Sequence, residues 1–293
     1  MPEIFQYDFM VRAMLGAAMI GAVAPAFGVF LVLRRLSLIA DTLSHVAFTG
    51  VAIGILTRTF PPLVALGATS AAAVSIEELR SRRLLPGDAA LAVFLYGALA
   101  VAVVLISVAN GFNTDLFSYL FGSVLTVRNT DLWMIGGLLA GVSIFLLMFH
   151  SELAQTSFDP DLARINGVRV HAVNIALAII TGATITVSMR VVGVLLVGAL
   201  IVIPVLISLR IATGLSATII TAVIAGVLVS IAGITIAFYA DVAPGGSVVL
   251  TGVGLLALVE TGHAVRQWMR RYRYPTDHEL EHMRGEEVQQ GGD

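Results

Sequence analysis

The sequence contains no cysteine, and all 17 of its basic residues are arginine, so lysine is absent as well. Without cysteine there is no disulfide, no thiolate metal ligand and no cysteine nucleophile. Without lysine there is no lysine Schiff base and no P-loop, whose G-x-x-x-x-G-K-[ST] pattern requires that residue. Charge of either sign is scarce: 12% of the 293 residues are charged, against about 25% in an ordinary soluble domain. So small a fraction cannot clothe a water-facing surface of this size. The net charge of −2 comes without a basic block, so nucleic-acid binding has no electrostatic footprint. What the sequence has instead is apolar: 58% of its residues are hydrophobic, arranged in repeated long runs. The fold class is therefore all-α, a polytopic transmembrane helical bundle.

The runs predict nine spans, over about 10–33, 38–56, 62–78, 89–109, 131–149, 171–189, 191–209, 214–238 and 247–265. A transmembrane domain over 1–265 is followed by a polar cytoplasmic tail, 266–293, expected to be partly disordered. Arginine placement sets the direction. Thirteen arginines (Arg34, Arg35, Arg80, Arg82, Arg83, Arg164, Arg169, Arg210 and five in the tail) fall inside if the N-terminus is outside, against Arg12, Arg58, Arg128 and Arg190. That bias favours an N-out, C-in protein of the cell (cytoplasmic, or inner) membrane. Spans 171–189 and 191–209 are divided only around Arg190 and Val191. A single bent span or re-entrant hairpin there would leave eight spans and reverse the later topology. The start, MPEIFQYDFM, has an acid before any base and no small-residue cleavage site, so no removable signal peptide is expected. Segment 110–130 is broken by Asn113, Asp115 and Gly122 and reads as an external or interfacial half-helix.

Asp41 and His45 lie near the start of the second span. A spacing of four puts them on one helix face, and a carboxylate at a span's centre costs roughly 2.5–3.5 kcal/mol unless a partner or wet cavity receives it. Carboxylate oxygen with imidazole nitrogen suits Mn²⁺, Zn²⁺ or Fe²⁺, with Thr42, Ser44 and Thr49 supplying hydroxyls nearby. A structural Asp–His pair, a helix cap at the membrane edge and a proton relay fit the same spacing. Two ligands are too few for a tight site, and a second copy across a two-fold axis would supply four.

The inner loop 150–170 carries Asp159-Pro160, an N-cap followed by proline at N1. Asp161 complements the dipole and Gly167 can close the helix. A short helix over 160–166 is expected, either a surface connector or a docking knob for a partner. Outside, Pro244, Gly245 and Gly246 predict a turn after Asp241. HELEH at 278–282 matches the H-E-x-x-H pattern, but it sits in a polar tail with no third ligand in view. It reads as solvated chain, with weak metal binding by His278 and His282 as the alternative. His150, His171 and His263 fall at span boundaries and read as interfacial.

Four stretches together resemble the permease subunits of ABC-type zinc/manganese/iron importers, the ABC-3 family: FLVLRRLSLIADTLSHVAFTGVA (30–52), SFDPDLARINGV (157–168), VVGVLLVGALIVIPVLISL (191–209) and DVAPGGSVVL (241–250). The family pattern GD-A-LSH stands here as AD-T-LSH, with Ala40 and Thr42 departing from it. The resemblance implies a permease that pairs with a second copy or a paralogue, with cytoplasmic ABC ATPase subunits and with an extracytoplasmic metal-binding protein. It implies that Asp41 and His45 line the metal path. It implies that Phe158, Asp159, Pro160, Ala163, Arg164 and Gly167 contact the ATPase. No permanently bound cofactor and no catalytic residue is expected; the divalent metal, Zn, Mn or Fe, is cargo.

The expected function is the membrane-spanning subunit of an ATP-driven metal importer, not itself an enzyme. A secondary transporter coupled to an ion gradient, with Asp41 and His45 as a proton-coupling pair, is the alternative. It calls for inverted repeats that the sequence does not display. An intramembrane hydrolase would require a fuller set of catalytic groups.

Overall fold

The computed structural model describes residues 6–82, 84–108, 119–120, 122 and 127–273. Arg83, most of segment 110–130 and the tail from 274, with its HELEH, lie outside the described residues. Apolar runs of span length leave helix as the one backbone arrangement that satisfies its own hydrogen bonds in lipid. Among the described residues the regular elements are accordingly helices: α1 Asp8–Leu33, α2 Leu38–Leu56, α3 Pro61–Ser81, α4 Gly87–Val108, α5 Asn129–Met148, α6 His150–Phe158, α7 Pro160–Ile165, α8 Val170–Ser188, α9 Val194–Ile211, α10 Leu215–Ala240 and α11 Pro244–Arg273.

Eight of them, α1 to α5, α8, α10 and α11, are long and apolar enough to cross a membrane. The remaining expected span, 191–209, corresponds to α9, an apolar helix of 18 residues. It is not a continuation of α8. Gly193 takes φ +91° between the two, a backbone state costly to any residue with a Cβ, and the chain turns there. Helix α11 runs on to Arg273, past the expected end of the last span at 265. The turn assigned to Pro244, Gly245 and Gly246 lies one step earlier. Asp241 adopts φ 52°, while Pro244 opens α11 and the two glycines belong to its first turn. Proline at N1 explains this, since its missing N–H would have had no helical partner anyway.

Helices divide into an inner and an outer set. In the most apolar stretches of α1 and α2, 67% and 72% of residues are buried, against 22%, 17% and 11% in α4, α5 and α11. The outer set therefore turns most of its apolar surface away from this chain, toward lipid or a second protein. Small residues allow the inner set its close approach. A Cβ on Gly21 of α1 would lie 2.6 Å from the Gly226 carbonyl oxygen of α10, and one on Gly50 of α2 would lie 2.5 Å from Cα of Ala65 on α3. At the end of α1, Val29, Val32 and Leu33 pack with Val205 of α9 and with Leu215, Ile219 and Ala222 of α10. That cluster makes the close of α1, the Ile211 end of α9 and the start of α10 one common edge.

The opposite edge holds a buried ion pair. Asp131, 5% exposed, accepts from Arg190 at 2.8 Å and from the Arg128 backbone N–H at 2.9 Å. It binds the start of α5 to the α8–α9 turn, and the Arg190 guanidinium lies 5.9 Å from the Tyr119 ring centroid.

Candidate metal path and docking element

Helix α2 is buried from Ile39 to Ala52 except at two positions: Asp41, which is exposed, and His45, which is half-buried. The four-residue spacing places the carboxylate and imidazole on one stripe, and that stripe is the part of the helix this chain leaves open. Facing Asp41 is Gly198 of α9. A Cβ built on Gly198 would overlap the Asp41 Oδ1 atom, so glycine is what lets the carboxylate lie against α9.

The contact also places the carboxylate along α9. Asp41 is the fourth residue of α2, which on that helix alone reads as the membrane edge. Yet Gly198 precedes the Ile211 end of α9 by 13 residues, about 20 Å of helix at 1.5 Å per residue. Because the Ile211 end shares an edge with the close of α1, the carboxylate meets α9 well inside that edge.

The neighbouring hydroxyls face other tasks. Thr42 Oγ1 donates to the carbonyls of Leu38 at 3.0 Å and of Leu91, on α4, at 3.3 Å. Thr49 Oγ1 donates to His45 O at 2.9 Å and to Ala98 O, also on α4, at 2.8 Å. Ser44 Oγ donates to Ala40 O at 2.8 Å. These side chains fasten α2 to itself and to α4, with their protons committed to carbonyls. Among the described residues no group of three His, Asp or Glu side chains converges as a metal cage. The open stripe offers two donors.

Helices α6 and α7 form the second feature. Asp159 is the N-cap of α7, its Oδ1 accepting from the N–H of Asp161 at 3.0 Å and of Leu162 at 2.9 Å, with Pro160 at N1. Arg164 pairs with Asp161 at 2.9 Å. Gly167 takes φ +84°, and the N–H groups of Gly167 and Val168 return to the carbonyls of Arg164 and Ala163, each at 3.0 Å. The expected helix over 160–166 is observed over 160–165. Ala163 is fully buried beneath it, whereas Phe158, Leu162 and Ile165 are 69%, 53% and 82% exposed. An apolar group held out among Asp159, Asp161 and Arg164 has the composition of a protein contact, apolar centre and polar rim.

The model of the ABC 3 transport family matches residues 6–261. The chain belongs to that family. It is 29% identical over 273 residues to the manganese transport system membrane protein MntC of Halalkalibacterium halodurans, covering 91% of this chain and 93% of that one. It is 31% identical over 252 residues to the high-affinity zinc uptake system membrane protein ZnuB of Haemophilus influenzae, with 86% and 97% covered. A chain of the solved structure of PsaBC from Streptococcus pneumoniae in complex with Fab superposes with a TM-score of 0.79 at 29% identity, covering 87% of this chain and 92% of that one.

The two departures from the ABC-3 pattern are interior. Ala40 is fully buried and Thr42 is 1% exposed, the latter adding the bond to α4. Neither alters the open stripe. Sequence reading passed over Gly198, and no local signal marks it, because its partner lies 157 positions away. It also passed over Arg34, whose part is in long-range hydrogen bonds. Of the boundary histidines, His171 lies 3.3 Å from Glu78 on α3.

Proposed function

We propose that this ABC-3 chain is one of two permease subunits of an ATP-driven importer of a divalent transition metal, with Mn²⁺ and Zn²⁺ as the leading cargoes and Fe²⁺ also compatible with the donors. The observation that carries the reading is the stripe on α2. A carboxylate and an imidazole lie open on a helix that is otherwise buried, in a chain of membrane-spanning helices. A carboxylate facing lipid is costly, so its open side calls for a cavity or a second subunit. Two donors per chain hold a cation loosely. Two chains across a two-fold axis bring four, enough to select a metal in passing and few enough to release it.

Energy enters at the other feature. The chain has no P-loop, so ATP is hydrolysed by cytoplasmic ATPase subunits that dock on Phe158, Leu162 and Ile165. Asp159, Pro160, Ala163, Arg164 and Gly167 hold the docking helix in shape. The positive-inside bias puts this element in the cytoplasm, with the protein multi-pass in the cell membrane. An extracytoplasmic metal-binding protein delivers the ion at the opposite edge.

The test is uptake of Mn²⁺, Zn²⁺ and Fe²⁺ into sealed vesicles containing the permease with its ATPase and donor protein. ATP and an ion gradient are supplied separately. Accumulation that requires ATP is expected, and it names the metal. Accumulation driven by the gradient alone would overturn the reading and make Asp41 and His45 a proton relay.

A further inference from the structure

Arg34 follows the last residue of α1, and its guanidinium joins that end to two further helices and, through one of them, to a third. Its Nε donates to Ser157 Oγ at 2.9 Å, and its Nη2 donates to Thr156 Oγ1 and to Leu153 O, all on α6. Its Nη1 donates to Asn174 Oδ1 on α8. Asn174 passes the link on, its Nδ2 donating to Glu77 Oε1 on α3 at 2.8 Å, and Arg80 closes on Glu77 Oε2 at 2.9 Å. All the direct partners of Arg34 are neutral. Burial pulls the guanidinium down to about 10, with Glu77 opposing that shift, so Arg34 remains a cation at neutral pH. A half-buried cation with neutral acceptors is held by geometry, and the planar fork of arginine supplies it.

The backbone at Arg34 is equally constrained. Leu36 N–H bonds Leu31 O at 2.8 Å, Arg35 N–H bonds Val32 O at 3.0 Å and Ile39 N–H bonds Leu36 O at 3.0 Å. Arg35 takes φ 57°, as the residue closing such a motif must. The α1–α2 elbow is therefore a short bracket without slack. One end carries the Arg34 head, bolted to α6; the other is the first turn of α2, which bears Asp41. Helix α6 leads directly into α7, the docking helix.

We infer that Arg34 is the positioning residue that couples the ATPase-docking element to the metal stripe, moving the first turn of α2 whenever α6 and α7 are displaced. The inference rests on the reading of the chain as an ATP-driven metal permease. Arg34 belongs neither to the α2 stripe nor to the exposed apolar group of Phe158, Leu162 and Ile165. Its role is to make the α2 stripe follow the docking element, so its loss should separate hydrolysis from transport.

The test measures metal moved per ATP hydrolysed, with Mn²⁺ and Zn²⁺ as probes, in vesicles holding the whole permease–ATPase–donor complex. Arg34→Lys keeps the charge and discards the fork. It is expected to leave ATPase co-purification and ATP hydrolysis in place and to lower the ratio about tenfold or more, the effect of losing one charge-assisted hydrogen bond. Thr156→Val with Ser157→Ala removes the two hydroxyl acceptors on α6, leaving there the longer bond to the Leu153 carbonyl, while keeping Arg34. It should lower the ratio similarly, with no further fall when combined with Arg34→Lys. This second variant decides the matter if Arg34→Lys does not fold. An unchanged ratio overturns the inference, including the case in which hydrolysis and transport decline together, since that is what simple loss of stability produces. Failure of the wild-type complex to accumulate metal with ATP would instead overturn the functional reading itself.

Discussion

Helix α7 and the first turn of α2 are built by opposite means. The hydrogen bonds that shape α7 close within a few residues: Asp159 to Asp161 and Leu162, Gly167 to Arg164, Val168 to Ala163. The Asp41 carboxylate is positioned by Gly198, on a helix far along the chain. The two regions also differ in what they expose. Helix α7 holds out apolar side chains beside charges, and α2 holds out charge-capable side chains from an apolar helix. Each is the inverse of its surroundings, and the proposed function gives each a partner, a protein in one case and an ion in the other. Local assembly gives a knob that keeps its shape while it moves. Assembly by packing gives a site that changes when the helices around it shift.

The largest effects are expected on the packed side of this comparison. Asp41→Ala and His45→Ala should each abolish metal accumulation while leaving co-purification with the ATPase unchanged, because neither side chain shapes the docking element. Full uptake by both variants would remove the α2 stripe from the metal path. Next comes Gly198→Ala, whose methyl group competes with Asp41 Oδ1 for the same space. Overpacking of this kind costs about 1–3 kcal/mol, so uptake should fall by about tenfold or more while ATPase docking persists. Gly198→Ala should add little to the stability loss of an Asp41→Ala chain, where the clash no longer exists. Thermal unfolding of the two single variants and the double variant measures that difference. Equal losses in both backgrounds would mean that the methyl group meets something other than the carboxylate.

The same contrast explains what the sequence made legible. Hydropathy located the helices because lipid leaves the backbone no other economical form. Asp159-Pro160 and Gly167 announced α7 because cap, first turn and closing glycine lie within ten positions. Asp41 and His45 stood out because charge is rare in this chain, yet α2 alone left their depth undecided. Their neighbour on α9 is what the structure adds. The pairing of Asp41 with Gly198, like the fork of Arg34 onto α6 and α8, joins residues more than a hundred positions apart. Nothing in their own neighbourhoods records the partner. Pro244 shows the reverse error: Pro-Gly-Gly resembles a turn, but proline at a helix start is equally at ease, and packing chose the helix.

Smaller effects belong to the local side. Asp159→Ala with Arg164→Ala removes the cap and the pair with Asp161. The cap is worth about 1 kcal/mol and the exposed pair little beyond that. Weaker co-purification with the ATPase is expected, with transport falling in proportion. Unchanged co-purification would count against α7 as the docking element.

The last comparison sets glycine against glycine. Gly167 has nothing within 4 Å of the position a Cβ would take, but its φ is +84°; Gly198 belongs to regular α9 and faces the carboxylate. One is glycine for its own backbone, the other for its neighbour. Gly167→Ala should cost about 1 kcal/mol or slightly more, the price of a left-handed residue with a Cβ, and weaken docking roughly fivefold. Gly167→Asn should stay closer to wild type, since asparagine visits that backbone region more readily. At Gly198 the order must reverse. There alanine, the smaller side chain, should be the less harmful of the two, and asparagine the more harmful. ATPase co-purification for the Gly167 variants and metal uptake for the Gly198 variants read the two orders separately. The same ranking at both sites would mean that the two glycines answer to one constraint, and the division between local and packed assembly would not hold.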